Sequence, residues 1–289
     1  MRIAVVGSRG QLGRALLEVL TDDLVLPMAR PEYDITNLEA IRKGLLAFRP
    51  DVVILTAAFT NVDGCEREPE KAYAVNALGT RNVALATYEC GAAMVYVSTN
   101  EVFDGTKREP YWEFDPPNPI GVYGRSKLAG EQFVRDILSR FYIVRTAWLY
   151  YHGGNNFVTK IIRAADERGA LRVVADEVSN PTYALDLACA ISKLIRTGHY
   201  GIYHFTNSGS CSRYEFACLI LKLSGRGDVP VEPITSDQWK RVATPPLYTP
   251  LRNFCGAQID ITLRPWQEAL KAFFEREPGL KKSSDERAG

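Results

Sequence analysis

The chain has 289 residues, 46% of them hydrophobic and 24% charged, and its 35 basic and 34 acidic side chains leave a formal net charge of +1. This is globular composition, long enough for one large domain or a main domain with a smaller lobe. No basic run or aromatic-laced patch offers a nucleic-acid groove, and no stretch approaches the roughly 18 apolar residues of a membrane span.

The apolar run at residues 3–6 is too short for a signal peptide, which predicts a cytoplasmic protein. RIAVVG (2–7) reads as a short strand running into glycines, and QLGRALLEVL (11–20) as a helix. LVLPMAR (24–30) is a second strand interrupted by Pro27, NLEAIRKGLLAF (37–48) a helix and DVVILTAA (51–58) a buried strand. A long helix at 68–90, a strand at 93–100, a helix at 126–138 and a strand at 141–150 follow. Apolar strands alternating with amphipathic helices predict an α/β fold, a doubly wound parallel sheet.

After residue 150 the rhythm loosens. Helices are expected at 155–169, 182–198, 212–225 and 265–277, strands at 171–176 and 201–207, and a proline-rich irregular stretch at 244–258. The expected division is a dinucleotide-binding domain over 1–150, with sheet elements continuing to about 205, and an intermingled substrate lobe over about 151–275. The polar tail at 278–289 is expected to be disordered. Six cysteines (65, 90, 189, 211, 218, 255) form no Cys-x-x-Cys pair and read as reduced, mostly buried small hydrophobes. The three histidines form no ligand cluster with acids, so no metal is expected.

VVGSRGQLGRALL places Gly7, Gly10 and Gly13 between the first strand and the first helix. Glycines there permit a tight turn, close approach of a pyrophosphate and close helix–strand packing, while the helix start offers free amides. In that context the motif predicts a Rossmann-type dinucleotide site. In the NAD pattern an acid about 20 residues on holds the ribose. Here Arg30 stands at the second strand tip and Arg9 lies in the glycine turn, which favours the 2′-phosphate of NADPH, with NADH the alternative. Asp34 is a candidate for the adenine or its ribose, or a helix cap.

VYVSTNEVFDG ends a strand on Ser98 and Thr99, and VYGRSKLAGE carries Tyr123 and Lys127 four apart on the next helix. Positions i and i+4 share a helix face, so a cation there lowers a phenol's pKa from about 10 and tunes a general acid. The same spacing also suits a core-facing tyrosine beside a snorkelling lysine.

Glycine turn, Ser/Thr strand end and Tyr-x-x-x-Lys in this order resemble the extended branch of the short-chain dehydrogenase/reductase superfamily. TAAFTNVDGCEREPEKAYAVNALGTRNVA, STNEVFDG, VYGRSKLAGE, VRTAWLY followed by NNFVTKII, and NPTYALDLA narrow the resemblance to dTDP-4-dehydrorhamnose reductases, from residue 1 to about 275. The resemblance implies reduction of a nucleotide-linked 4-keto-6-deoxy sugar at C4 by a reduced nicotinamide. It implies Tyr123 as proton donor, Lys127 as its electrostatic partner and ribose ligand, and Thr99 on the carbonyl oxygen. For the cofactor it implies Gly7, Gly10, Gln11 and Leu12 in the glycine turn. Asp34 and Ile35 fall on the adenine side, and Ala58, Phe59 and Thr60 beside the nicotinamide ribose and phosphates. For the substrate it implies Thr99, Asn100, Glu101, Trp148 against the sugar, Asn156, and Arg252 near the nucleotide phosphates or at the lobe interface. Asn76 is a backbone-supporting polar residue on this reading.

Three departures stand out. The family's Ser-Thr-Asp-Tyr-Val-Phe is here Ser98, Thr99, Asn100, Glu101, Val102, Phe103, so an acid replaces a tyrosine as in the sugar-nucleotide dehydratases, without their first acid. Glutamates that bridge subunits through magnesium in some members are absent at Ala15 and at Tyr183, Leu185 and the residue between; no such metal is expected, and a homodimer is the candidate assembly. The family's Arg-Pro-x-Asn-Ser segment is reduced to PLRNFCGA. Two alternatives remain: an epimerase or dehydratase with permanently held NAD, and a dinucleotide-binding regulatory subunit resembling that of methionine adenosyltransferase.

Overall fold

The computed structural model describes residues 1–281. Its centre is a six-stranded, wholly parallel sheet. In chain order the first half comprises β1 (Arg2–Val6), α1 (Gln11–Val19), β2 (Leu24–Met28), α2 (Leu38–Phe48), β3 (Val52–Leu55), α3 (Val62–Arg67), α4 (Pro69–Tyr73), α5 (Thr80–Glu89), β4 (Ala93–Thr99), α6 (Val122–Ile137) and β5 (Phe141–Thr146). The second half comprises β6 (Leu149–Tyr150), α7 (Phe157–Arg168), β7 (Leu171–Val174), β8 (Val178–Ser179), β9 (Thr182–Tyr183), α8 (Ala184–Leu194), β10 (Gly201–His204), β11 (Cys211–Ser212), α9 (Arg213–Leu223), β12 (Val231–Ile234), α10 (Phe254–Ala257) and α11 (Trp266–Arg276).

The sheet order is β10-β5-β4-β3-β1-β2. The chain reverses direction across the sheet between β1 and β3, and such a switch point opens a crevice at the carboxyl ends of the strands. Alternate residues of β1 feed opposite cores: Ile3 and Val5 pack with α1, α8 and α9, whereas Ala4 and Val6 pack with α2 and α5. Both faces are therefore covered, which is why these strands are apolar runs. Pro27 sits on β2, opposite Val5, at the sheet edge, where a missing N–H interrupts no ladder.

The helix expected over 68–90 is real but not uniform. A π-turn, Ala74–Gly79, joins α4 to α5. It places Asn76, which is 1% exposed, so that its side chain accepts from Phe59 N (2.8 Å) and donates to Phe59 O (3.0 Å) and Ser126 Oγ (3.0 Å). The strand expected over 141–150 is split into β5 and β6, and the two-residue strands β8, β9 and β11 and the four-residue β12 with its proline were not anticipated, being too short to carry a clear two-residue period. They form three two-stranded sheets, β6 with β9, β8 with β11 and β7 with β12. Of the tail expected to be disordered, Pro278–Leu280 forms a 3-10 turn, and residues 282–289 lie outside those described. The cysteines are free as expected, but only Cys65 and Cys211 are buried, and Cys189 is exposed. No helix of the described residues is long and apolar enough to cross a membrane.

Candidate active site

The strand ends and the α6 face enclose a cavity of about 810 Å³. Gly7, Arg9, Gly10, Gln11, Leu12, Arg30, Asp34, Ile35, Ala58, Phe59 and Thr60 line one part of it. Thr99, Asn100, Glu101, Tyr123, Lys127, Trp148 and Asn156 line the rest. Of the residues expected to touch cofactor or substrate, Arg252 alone is not in its lining. Its guanidinium lies 4.0 Å from the centre of the Trp112 ring.

The glycine turn explains its own composition. Gly7 has φ +94°, a region L side chains rarely adopt. At Gly13 a Cβ would stand 2.3 Å from the Gly7 carbonyl oxygen and 2.6 Å from Ser8 Cα, so α1 approaches the turn as closely as backbone allows. The N-cap, Gly10, offers no side-chain cap, and the first turn of α1 has no acidic residue. Its orphan amides and positive dipole end are thus left for an anion. Asp34 is not the cap of α2; Asn37 is, accepting from Ala40 N at 3.1 Å. Asp34 instead accepts from Thr36 N (2.9 Å) and Thr36 Oγ1 (2.8 Å), bonds that hold its carboxyl below the usual range.

At the other end, Tyr123 and Lys127 project from α6 beside the end of β4. Burial, reinforced by the Glu101 charge, pushes the Tyr123 phenol up, against a hydrogen bond from Thr99 that pulls it down. Lys127 is 2% exposed; its Nζ donates to Val97 O at 2.8 Å and lies 4.2 Å from the centre of the Tyr96 ring. Burial brings its pKa down to about 7, opposed by the charge of Glu131. The expected electrostatic help from Lys127 to Tyr123 is therefore not what governs the phenol here; desolvation and Glu101 do. Glu131 is itself held by Arg145, whose Nε and Nη2 donate to it at 3.0 and 2.7 Å, and by Ser98 Oγ at 2.6 Å.

Two polar lining residues are largely engaged by protein. Asn100 donates to Ser179 Oγ (3.2 Å) and Thr249 Oγ1 (2.7 Å). Asn156 caps α7 in a capping box and donates to Tyr151 O (2.7 Å) and Gln11 Oε1 (3.2 Å). Trp148 lines the cavity from a left-handed backbone conformation, φ +41°. The residue that sequence reasoning missed is Arg213, at the start of α9. Its signal was a cation in the first turn of a helix, where the dipole disfavours one.

The family model described as the RmlD substrate binding domain matches residues 1–278. The chain belongs to this family. A dTDP-4-dehydrorhamnose reductase from Mycolicibacterium smegmatis is 40% identical over 276 residues, 93% of this chain and 84% of that protein. A dTDP-4-keto-6-deoxy-D-glucose reductase from Streptomyces niveus is 36% identical over 277 residues, 94% of this chain and 96% of that one. The crystal structure of a Bacillus anthracis dTDP-4-dehydrorhamnose reductase in complex with NADP superposes with a TM-score of 0.92 at 41% identity, covering 95% of this chain and 99% of that one. Within the RmlD family frame the cavity is one continuous space, from the glycine turn to the Tyr123 hydroxyl.

Proposed function

We propose that the protein is an NADPH-dependent reductase of a dTDP-linked 4-keto-6-deoxy sugar, forming dTDP-L-rhamnose from dTDP-4-dehydro-L-rhamnose in the cytoplasm. The observation that carries this reading is the convergence of Thr99, Tyr123 and Lys127 on one end of a cavity whose other end is a glycine turn with uncapped amides. That cradle suits a pyrophosphate, and Arg9 and Arg30 beside it suit a 2′-phosphate. When bound, the reduced nicotinamide supplies the hydride.

Gly10, Gln11 and Leu12 hold the diphosphate from the start of α1, and Asp34 and Ile35 border the adenine. Lys127, anchored on Val97 O, presents its remaining N–H donors to the nicotinamide ribose. Thr99 and Tyr123 hydrogen-bond the C4 carbonyl oxygen and orient it. As charge develops there, Tyr123 gives its proton to the oxygen; its phenol, with an ordinary pKa of about 10 pushed up by burial, holds that proton at neutral pH. Trp148 packs on the sugar.

The test is nicotinamide absorbance with dTDP-4-dehydro-L-rhamnose, using NADPH and NADH in parallel. Rapid oxidation, faster with NADPH at limiting cofactor, is expected. Purification with NAD already bound, and no oxidation, would move the reading to an epimerase or dehydratase, which Glu101 near Tyr123 favours.

A further inference from the structure

One charged pair in the cavity has no part in the hydride and proton transfer. Glu101 follows Thr99 by two residues, and its backbone N–H donates to Thr99 Oγ1 at 3.2 Å. Its carboxylate therefore starts beside the hydroxyl assigned to the reacting carbonyl. Among the described residues that carboxylate has no hydrogen bond or ion pair of its own. Arg213 lines the same cavity. Its guanidinium carbon lies 3.6 Å from the centre of the Trp148 ring and 5.0 Å from that of Phe157. Its ion pair is with Glu177, at 3.6 Å, which leaves most of five N–H donors to be satisfied.

The two groups share the cavity without closing on each other, and burial works against the Glu101 charge. Burial raises the Glu101 carboxyl to about 7; Arg241 and Arg213 oppose this, and Glu177 and Glu66 add to it. Arg241 is drawn off to Asp63 at 3.3 Å and Glu177 at 3.7 Å. What remains facing the cavity is one acceptor and one donor fork, next to an indole.

We propose that Glu101 and Arg213 read the C3 hydroxyl beside the reacting carbonyl and the C2 hydroxyl next to it, as acceptor and donor, and so determine which keto sugar is reduced. The ligand class follows from chemistry. A sugar hydroxyl both donates and accepts, so neighbouring hydroxyls satisfy a carboxylate and a guanidinium together, and charge-assisted bonds of this kind discriminate strongly. The inference deepens the reductase reading and rests on it for the position of the carbonyl.

The test is equilibrium binding to the full chain, which needs no turnover. Wild type should bind dTDP-L-rhamnose more tightly than dTDP. Glu101→Gln, an isosteric change, and Arg213→Lys should each weaken dTDP-L-rhamnose about tenfold or more while leaving dTDP and NADPH affinities unchanged. A dTDP-sugar lacking the C3 hydroxyl should lose correspondingly less. Equal weakening of dTDP, or no weakening of either ligand, would overturn the pair. Turnover is scored separately: a wild type that shows the binding split but oxidises no NADPH would remove the reductase reading and keep the pair only as a reader of sugar hydroxyls. A wild type that turns over but shows no split would do the reverse.

Discussion

Two desolvated ionisable groups on one cavity wall make opposite demands on pH. Lys127 has a folded-state pKa of about 7, against about 10.4 in an unfolded chain. Between those values the unfolded chain holds a proton that the folded one releases, so this residue adds stability as pH rises from about 7 toward 10. Lys127→Met should flatten that rise and leave the Tm higher than wild type at pH 6, measured by calorimetry, while turnover collapses. Glu101 titrates in the same range but from the other side. If its charge is what the sugar meets, dTDP-L-rhamnose affinity should fall from pH 8 to pH 6 in wild type and stay level in Glu101→Gln. Tyr123→Phe removes only the proton donor: kcat should drop about 10²–10⁴-fold, with NADPH affinity intact by fluorescence titration. Tyr123 and Lys127 were legible in the sequence because helical spacing is local. Arg213 was not, because nothing in residues 211–215 says that the start of α9 lines the same cavity as the end of β4.

The elements that carry the site are set by close backbone approaches more than by side-chain bulk. Gly13→Ala puts a methyl against the Gly7 carbonyl and Ser8 Cα, neither of which can swing aside, so the turn must open. NADPH affinity should fall more than about tenfold, because an oriented amide cradle is lost rather than weakened; a Kd near wild type would mean that α1 slides freely. The π-turn does similar work on the opposite wall. It presents Asn76 to both backbone groups of Phe59, beside Ala58 and Thr60. Asn76→Ala should cost about 1–3 kcal/mol of stability in urea unfolding, since the buried partners lose their bonds. Helix 68–90 was readable as a helix, but its π-turn was not: hydrophobic periodicity is blind to one inserted residue that leaves Leu78 exposed.

For the molecule as a whole, the sheet order shows why the two halves of the chain fold together. β10 pairs with β5, and α8 packs on α1. A fragment ending at residue 150 lacks both, exposing the apolar faces of β5 and α1 to water. It should give no cooperative thermal transition, whereas the full chain should melt in one step. The buried Glu131–Arg145 pair joins α6 to β5 beneath Lys127. Glu131→Ala would strand a buried guanidinium at a cost of about 3–5 kcal/mol. The parallel sheet was legible because strands buried on both faces are uninterrupted apolar runs. The small paired sheets of the second half were not, because two-residue strands are defined by their partners. The cavity inherits this asymmetry: the glycine-turn part of its lining is written in contiguous motifs, and the part proposed to meet the sugar is assembled from Glu101, Trp148 and Arg213, which are far apart in the chain.

Trp148 holds its ring against Arg213 from a backbone angle that ordinarily selects glycine. That reverses the usual ranking of substitutions in a saturation scan of this position. Elsewhere, alanine is the gentler truncation and glycine the harsher one. Here Trp148→Gly should be the more stable of the two by about 1 kcal/mol, because it alone relaxes the left-handed conformation, while both lose sugar affinity equally. The ring also packs against the main core, so its loss costs packing whichever residue replaces it, and the glycine-over-alanine order isolates the share of that cost that the backbone carries.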